Sequence, residues 1–513
     1  MKKTYIPLFL AIAAFASCSK DLNQIPISTA TSATFYQQPS DFIQGVNAAY
    51  NPLRAIPDQY MELSEVRSDN IYPSNFDVAR DHDPINNFAP GIAPNVYVEN
   101  AWKNDFDGIF KANTILDQVA KNANYVGSTA LATRLTAEAK FLRAFYYFDL
   151  VRYYGKVPII DHPVSAEEAN KIGRGAVKDV YALIIADLQF AIANLPLNYS
   201  GVFPAYSATD VGRVTKYGAE AILAEVYMAR SGPTYNIEGP GLASNEWALA
   251  LPLLQDIINS GVFAFNASFS NVFAYTNQNP TVNKEAIFDI MFLTGQSPVL
   301  GTDFTWLLIP QNYFNALPAG NTPANGALGA PSVSFDLLNS YASNDLRKAK
   351  TVHTTGFTYT GVYDQHPFFW KYLDTTKIPV SRFDWGINFM AVRYTDVLLL
   401  KAECVLNGAP GSQTTDVDAV VNQVRARAGL SPLVGVTKAQ LLDERRKELG
   451  NEGTRWFDLQ RSGNLITIME AYRATEDAAV KKMNPIVANY IIYPVPQTQL
   501  DASPGLYTQN PGY

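Results

Sequence analysis

Ala137-Glu138-Ala139-Lys140-Phe141-Leu142-Arg143-Ala144-Phe145-Tyr146-Tyr147-Phe148 is apolar on almost every side once wound at 3.6 residues per turn. Phe141, Phe145, Phe148 and Arg152 share one face, and Leu142, Ala144 and Tyr146 fill much of the remainder. A helix of that kind is buried nearly all round, so other helices must pack about it. The pattern predicts a helix over Leu131–Tyr153, stopped by Gly155 and Pro158.

Outward from this run, Trp102–Val119, Val177–Leu195, Val214–Arg230 and Glu246–Ser260 show the same apolar spacing. Trp102 opens its helix with Phe106, Ile109 and Phe110 and reads as core. Ala219, Ala221, Ala224 and Ala229 leave room for a neighbouring helix to approach closely, and the Gly- and Pro-rich loop Ser231–Asn245 leads to the next one. Helix pairs with alanine at contact positions look like tetratricopeptide units, although no strict repeat is visible.

Residues 261–388 change character. Gly, Pro, Asn and Thr rise, a short strand is expected at Ala286–Phe292, and long loops such as Pro318–Pro331 appear. Helices return at Asn388–Leu406, Asp416–Ala428 and Lys438–Leu449, the last started by a Thr437/Gln440 capping box with Val436 as its apolar staple. The expected fold class is mostly α: tetratricopeptide-like helix pairs as scaffold, plus a loop-rich region with short strands. The expected organisation is a leader at 1–17, a tether at 18–40, a helical region at 41–260, and a C-terminal region at 261–513 that includes the loop-rich 261–388.

The leader has Lys2 and Lys3, an apolar stretch from Ile6 to Ala16, then Ser17-Cys18. Roughly 11 apolar residues are too few to span a bilayer and read as a secretory signal. A cysteine just after small residues marks a bacterial lipoprotein signal, with cleavage before Cys18 and acylation of its thiol. Phe15 departs from the leucine more usual there. At ~0.8 kcal/mol per buried methylene, several acyl chains make a stable anchor where one does not. The remaining cysteine, Cys404, falls in a predicted helix, so lipidation uses Cys18 better than a disulfide does. No later run offers 18 uninterrupted apolar residues, and the body is expected to be tethered rather than membrane-spanning.

Net charge is −7 without a basic run, which argues against nucleic acid as a partner. The four histidines, His82, His162, His353 and His366, are scattered and form no zinc motif. There is no GxSxG elbow and no phosphate loop. Asp81-His82-Asp83 lacks the Gly and terminal Glu of a calcium loop. No cofactor and no metal are expected. Glu444, Glu448, Glu452 and Asp458 suggest catalytic carboxylates, but Arg445, Arg446, Arg455 and Arg461 stand close in sequence, which predicts ion-paired structure instead.

Four segments together resemble the SusD/RagB family of outer-membrane lipoproteins. They are Cys18 followed by Asn47-Ala48-Ala49-Tyr50; 137–147 running on to Gly155-Lys156-Val157-Pro158; Val392-Arg393-Tyr394-Thr395-Asp396 through Glu403; and Glu444-Arg445-Arg446-Lys447-Glu448-Leu449 with Glu452-Gly453-Thr454-Arg455-Trp456-Phe457-Asp458-Leu459. Tyr493-Pro494-Val495-Pro496 through Tyr513 resembles the family's ending. The resemblance implies a SusD-like fold whose loops carry a ligand face. It implies a non-enzymatic protein that captures oligosaccharide, or a peptide, and delivers it to a SusC-like TonB-dependent transporter. The location implied is the outer membrane, lipid-anchored and facing outward. Ser19-Lys20-Asp21 only partly matches the acidic tag for surface export.

Sugar recognition needs flat aromatic faces and planar polar groups, and the chain holds 29 Tyr and 28 Phe. Two stretches supply both: Asp69, Asn70 and Tyr72 with Arg80 nearby, and the run from Asp303 through Trp306 to Tyr313 and Phe314. Trp306, Tyr72, Asp69, Asn70, Arg80 and Tyr313 are therefore the candidate ligand contacts. Trp370, Trp385 and Trp456 read as scaffold. A surface glycosidase using Asp303 or Asp336 is the rival reading.

Overall fold

A computed structural model describes residues 35–72, 81–318 and 332–513. Its helices of eight or more residues are α1 (Pro39–Tyr50), α2 (Val96–Lys121), α3 (Thr129–Tyr154), α4 (Val177–Asn194), α5 (Lys216–Ser231), α6 (Trp247–Asn259), α7 (Tyr394–Leu406), α8 (Ala419–Arg427), α9 (Lys438–Leu449), α10 (Arg455–Ser462) and α11 (Leu465–Glu476). From α2 to α7 each packs on the next, the helix-pair scaffold expected. The fold is mostly α.

Helix α3 is the axis of the scaffold, and every residue from Phe141 to Tyr154 is buried. Arg143 ties three helices together: Nε donates to Asp187 Oδ2 on α4 (2.7 Å) and Nη1 to Asn113 Oδ1 on α2 (2.8 Å). Gly108 on α2 lets Tyr146 lie flat against the backbone, since a Cβ there would meet the ring at 2.3 Å. Gly155 ends α3 at φ +69°, packed against the carbonyl of Glu238.

Strands are short: β1 (Ile71–Tyr72), β2 (Ala286–Ile290), β3 (Ser332–Val333), β4 (Val352–His353), β5 (Phe357–Tyr359), β6 (Val362–Asp364), β7 (Phe368–Phe369) and β8 (Phe389–Arg393). They pair antiparallel as β1–β3, β2–β8, β4–β7 and β5–β6. β8 corrects the expectation of one helix over Asn388–Leu406. Its apolar residues bond to β2, with Phe389 opposite Ile290 and Arg393 opposite Ala286, and the helix begins only at Tyr394. A short apolar run does not by itself tell strand from buried helix, and here a partner a hundred residues earlier decides.

The C-terminal helices are held by buried ion pairs. Glu448, fully buried, accepts from Arg393 Nη1 (3.0 Å), Arg427 Nη2 (2.5 Å) and Arg347 Nη1 (3.3 Å). Despite its burial, these cations hold its carboxyl down at about 2. Arg445 and Arg461 share Asp458, and Lys371 donates to Glu452 (2.9 Å). The cluster that suggests catalysis in sequence is ion-paired structure.

Candidate functional site

The loops after β2 and before β8 cross at one place. Thr302 and Trp385 exchange two backbone hydrogen bonds, 3.0 and 3.1 Å. Gly301 packs so tightly on Asp384 that a Cβ would meet its Cα at 2.4 Å. Asp384 Oδ2 accepts from Thr294 Oγ1 (3.1 Å) and Gly295 N (2.8 Å), fixing the crossing.

That crossing sets Arg382 against Trp306, which lies on the short helix Phe304–Leu307. The guanidinium carbon stands 4.6 Å from the Trp306 ring centroid and 4.4 Å from that of Phe383. Trp306 is 7% exposed and Phe383 48%, so the stack runs from buried to open. Trp306 Nε1 is buried and has no acceptor among the described residues. A buried indole N–H normally finds one, because leaving a donor unpaired costs about 1–3 kcal/mol.

Behind the stack lie Asp58, Glu62 and Asp303. Burial and mutual repulsion push Asp58 and Glu62 well above the usual carboxylate range, and burial raises Asp303. The Asp303 charge beside Asp58 adds to the rise that burial imposes on it. Asp336 is elsewhere, accepting from Arg446 Nη1 at 2.6 Å.

From the crossing, ring contacts run outward: Trp385–Phe314 (6.1 Å), Phe314–Tyr313 (6.1 Å), Tyr313–His353 (5.0 Å) and His353–Trp370 (4.5 Å). Tyr313 is thus inside an aromatic wall, flanked also by Phe368 (5.0 Å).

Asp69, Asn70 and Tyr72 are also inside. Asp69 is gripped by Arg455 and Arg446, whose charges hold it at about 2 against its burial. Asn70 accepts from Arg446 Nε (2.9 Å) and donates to Glu65 Oε2 (2.8 Å). Tyr72 Oη donates to Asp477 Oδ1 at 2.5 Å. The structure does not bring these three into the Arg382 stack. Arg80 and Cys18 lie outside the described residues. Arg382 and Phe383 were legible only as an Arg-Phe pair in a loop between Pro379 and Trp385.

A groove of about 580 Å³ lies between α9 and α11. Its arginines, Arg445, Arg446, Arg455 and Arg461, are each paired to a carboxylate. Among the described residues no cluster of three or more His, Cys, Asp or Glu is arranged to hold a metal ion, and no helix is long and apolar enough to cross a membrane.

A scaffold of packed helix pairs carrying a loop-rich, aromatic-rich region defines the class of fold. The chain belongs to the SusD/RagB family. The model of the SusD family matches residues 339–513, and that described as "Starch-binding associating with outer membrane" matches residues 26–228. SusD-like protein P25 of Formosa agariphila is 26% identical, over 97% of this chain and 96% of its own. Among solved structures, surface glycan-binding protein A from Bacteroides uniformis has a TM-score of 0.76 at 24% identity, covering 92% of this chain and 100% of that one. Its counterpart from Bacteroides thetaiotaomicron, in complex with laminarihexaose, has a TM-score of 0.75 at 22% identity, covering 93% and 100%. These likenesses establish the fold.

Proposed function

We propose that this protein is an outward-facing lipoprotein that captures oligosaccharide and delivers it to a SusC-like TonB-dependent transporter, without catalysis of its own. The observation that carries the reading is the Trp306–Arg382–Phe383 stack: a half-exposed phenyl ring, a planar guanidinium between it and the buried indole, and an indole N–H with no acceptor of its own among the described residues. A sugar ring meets such a site with its C–H face, and its hydroxyls supply acceptors. The laminarihexaose complex of a protein sharing the fold supports a glycan as ligand.

In this reading Trp306 touches ligand and Tyr313 backs it within the aromatic wall, whereas Asp69, Asn70 and Tyr72 serve a separate part of the fold; Arg80 remains a candidate contact outside the described residues. Residues 1–17 are the export signal, and acylated Cys18 anchors the body to the outer membrane. Delivery requires release, so an affinity in the micromolar range or weaker is expected, about −8 kcal/mol or less favourable.

Isothermal titration of the body lacking residues 1–18 against a panel of neutral oligosaccharides tests this. Saturable heat with one glycan class, weakened roughly 30-fold (~2 kcal/mol) by Trp306→Ala, is expected. Binding indifferent to Trp306 would move the site elsewhere, and release of new reducing ends during incubation would make the protein an enzyme.

A further inference from the structure

Beyond Tyr372, whose ring stands edge-to-face to both Phe304 (4.9 Å) and Phe273 (5.4 Å), lies an open groove of about 380 Å³. Phe273, Tyr275, Lys350, Trp370 and Asp374 line it. The groove is separate from the Arg382 stack, whose residues do not line it.

Its side chains are prepared for a ligand. Trp370 is fixed at its N–H edge, where Nε1 donates to the Ala349 carbonyl at 3.0 Å, and it stands edge-to-face to His353. A ring locked this way loses little freedom when something stacks on it. Tyr275 Oη is buried and has no hydrogen-bond partner among the described residues. No carboxylate among the described residues pairs with the Lys350 ammonium within 4 Å, and burial lowers its pKa. Asp374 spends Oδ1 on the backbone and hydroxyl of Thr376 (2.9 and 2.7 Å) and lines the same groove.

A flat apolar face ringed by an ammonium, a phenol and a carboxylate asks for a ligand that both donates and accepts around a flat body. A bare anion would meet Lys350 but be repelled by Asp374, and a bare cation the reverse. Vicinal hydroxyls on a ring satisfy both. We infer that the groove between Tyr275 and Trp370 is a second sugar subsite, which takes a neutral pyranose stacked on Trp370 with hydroxyls between Lys350 and Asp374. The inference rests on the glycan-capture reading above and adds a place and a charge class to it.

The test is titration calorimetry of the full body with laminarihexaose, maltohexaose, cellohexaose and xylohexaose, alongside oligogalacturonate as the acidic probe. Trp370→Ala is compared with Tyr275→Phe and Lys350→Met, two near-isosteric changes that keep the fold if the alanine variant does not. The expected result is a neutral glycan whose Kd rises at least about tenfold in Lys350→Met or Trp370→Ala. If a neutral glycan binds and only Trp306 or Arg382 substitutions weaken it, the second subsite is wrong and the first reading stands. Binding that depends on Trp370 but not on Trp306 supports the groove and removes the stack. Oligogalacturonate binding through Lys350 in preference to every neutral glycan overturns the neutral assignment. Silence across the panel overturns both readings.

Discussion

Arg455 grips Asp69 through two parallel hydrogen bonds, Nε to Oδ1 at 2.8 Å and Nη2 to Oδ2 at 2.7 Å, joining positions 386 residues apart. The segment just before β1 is thereby fastened to α10, with Arg446 of α9 close on the same carboxylate at 3.4 Å. The fork geometry of guanidinium and carboxylate satisfies both planar groups at once. Asp69 therefore has no edge left to offer a ligand, and its conformation is fixed by cations rather than by substrate.

Asp69→Asn is expected to destabilise the fold by about 3–5 kcal/mol, because the buried Arg455 guanidinium loses its counter-charge and Arg446 is left with Asp336 alone. Since its carboxyl sits near 2 when folded, below the ordinary 3.8, its contribution is full above about 4 and lost as pH falls through about 2. Urea denaturation at pH 7 and at pH 3 measures both effects. An equal loss at the two pH values would contradict the ionic origin.

Local features of this chain were legible in its residues, whereas features made by distant partners were not. The start of α9 is a local matter: Thr437 Oγ1 accepts from Gln440 N (3.3 Å), and Gln440 Oε1 accepts from Thr437 N (2.9 Å), as the spacing predicts. The helical scaffold follows from periodicity alone, with α3 expected over Leu131–Tyr153 and found over Thr129–Tyr154. β8 differs from the helix its residues predict because its pairing with β2 is invisible in a local window. Asp69 and Tyr72 have the composition of a sugar site, and the partners that bury them, Arg455 and Asp477, lie far along the chain where no local window reaches. Arg382 meets Trp306 solely because Thr302 and Trp385 cross.

Tyr72→Phe separates structure from binding at one atom. It removes the donor to Asp477, which keeps the amides of Lys482 (3.0 Å) and Met483 (2.8 Å). A stability loss of roughly 1.5–3 kcal/mol, typical of a hydrogen bond to a charged group, is expected with glycan affinity unchanged. Thermal unfolding paired with calorimetry reads both. A weakened Kd at full stability would return Tyr72 to the ligand site.

Asp289 predicts a pH dependence of opposite sign to that of Asp69. Burial raises its carboxyl to about 7, eased only by the hydrogen bond that Asn388 donates to Oδ2 at 2.8 Å. The folded state then binds a proton that the unfolded state releases between about 4 and 7, so the wild type loses stability as pH rises through that window. Asp289→Asn copies the neutral acid and removes the loss. Its Tm is expected to match the wild type at pH 4.5 and to exceed it at pH 8.5, by up to several degrees. A constant Tm difference across the range would mean that the carboxyl is not the titrating group.

The stack at Arg382 allows binding to be tested apart from folding. Phe383 is 48% exposed, so Phe383→Ala removes little buried apolar surface and is expected to change stability by less than ~1 kcal/mol. Arg382→Ala uncovers Trp306 and removes a charge that favours the ionised form of Asp303. If the guanidinium caps the bound ring as it now caps the indole, each variant weakens glycan binding about tenfold, close to 1.4 kcal/mol, with Tm held. If Arg382 merely shields Trp306 until a ligand arrives, Arg382→Ala tightens binding while Phe383→Ala still weakens it. Indifference of Kd to both substitutions, in a protein that binds glycan, would exclude this stack as the place of capture.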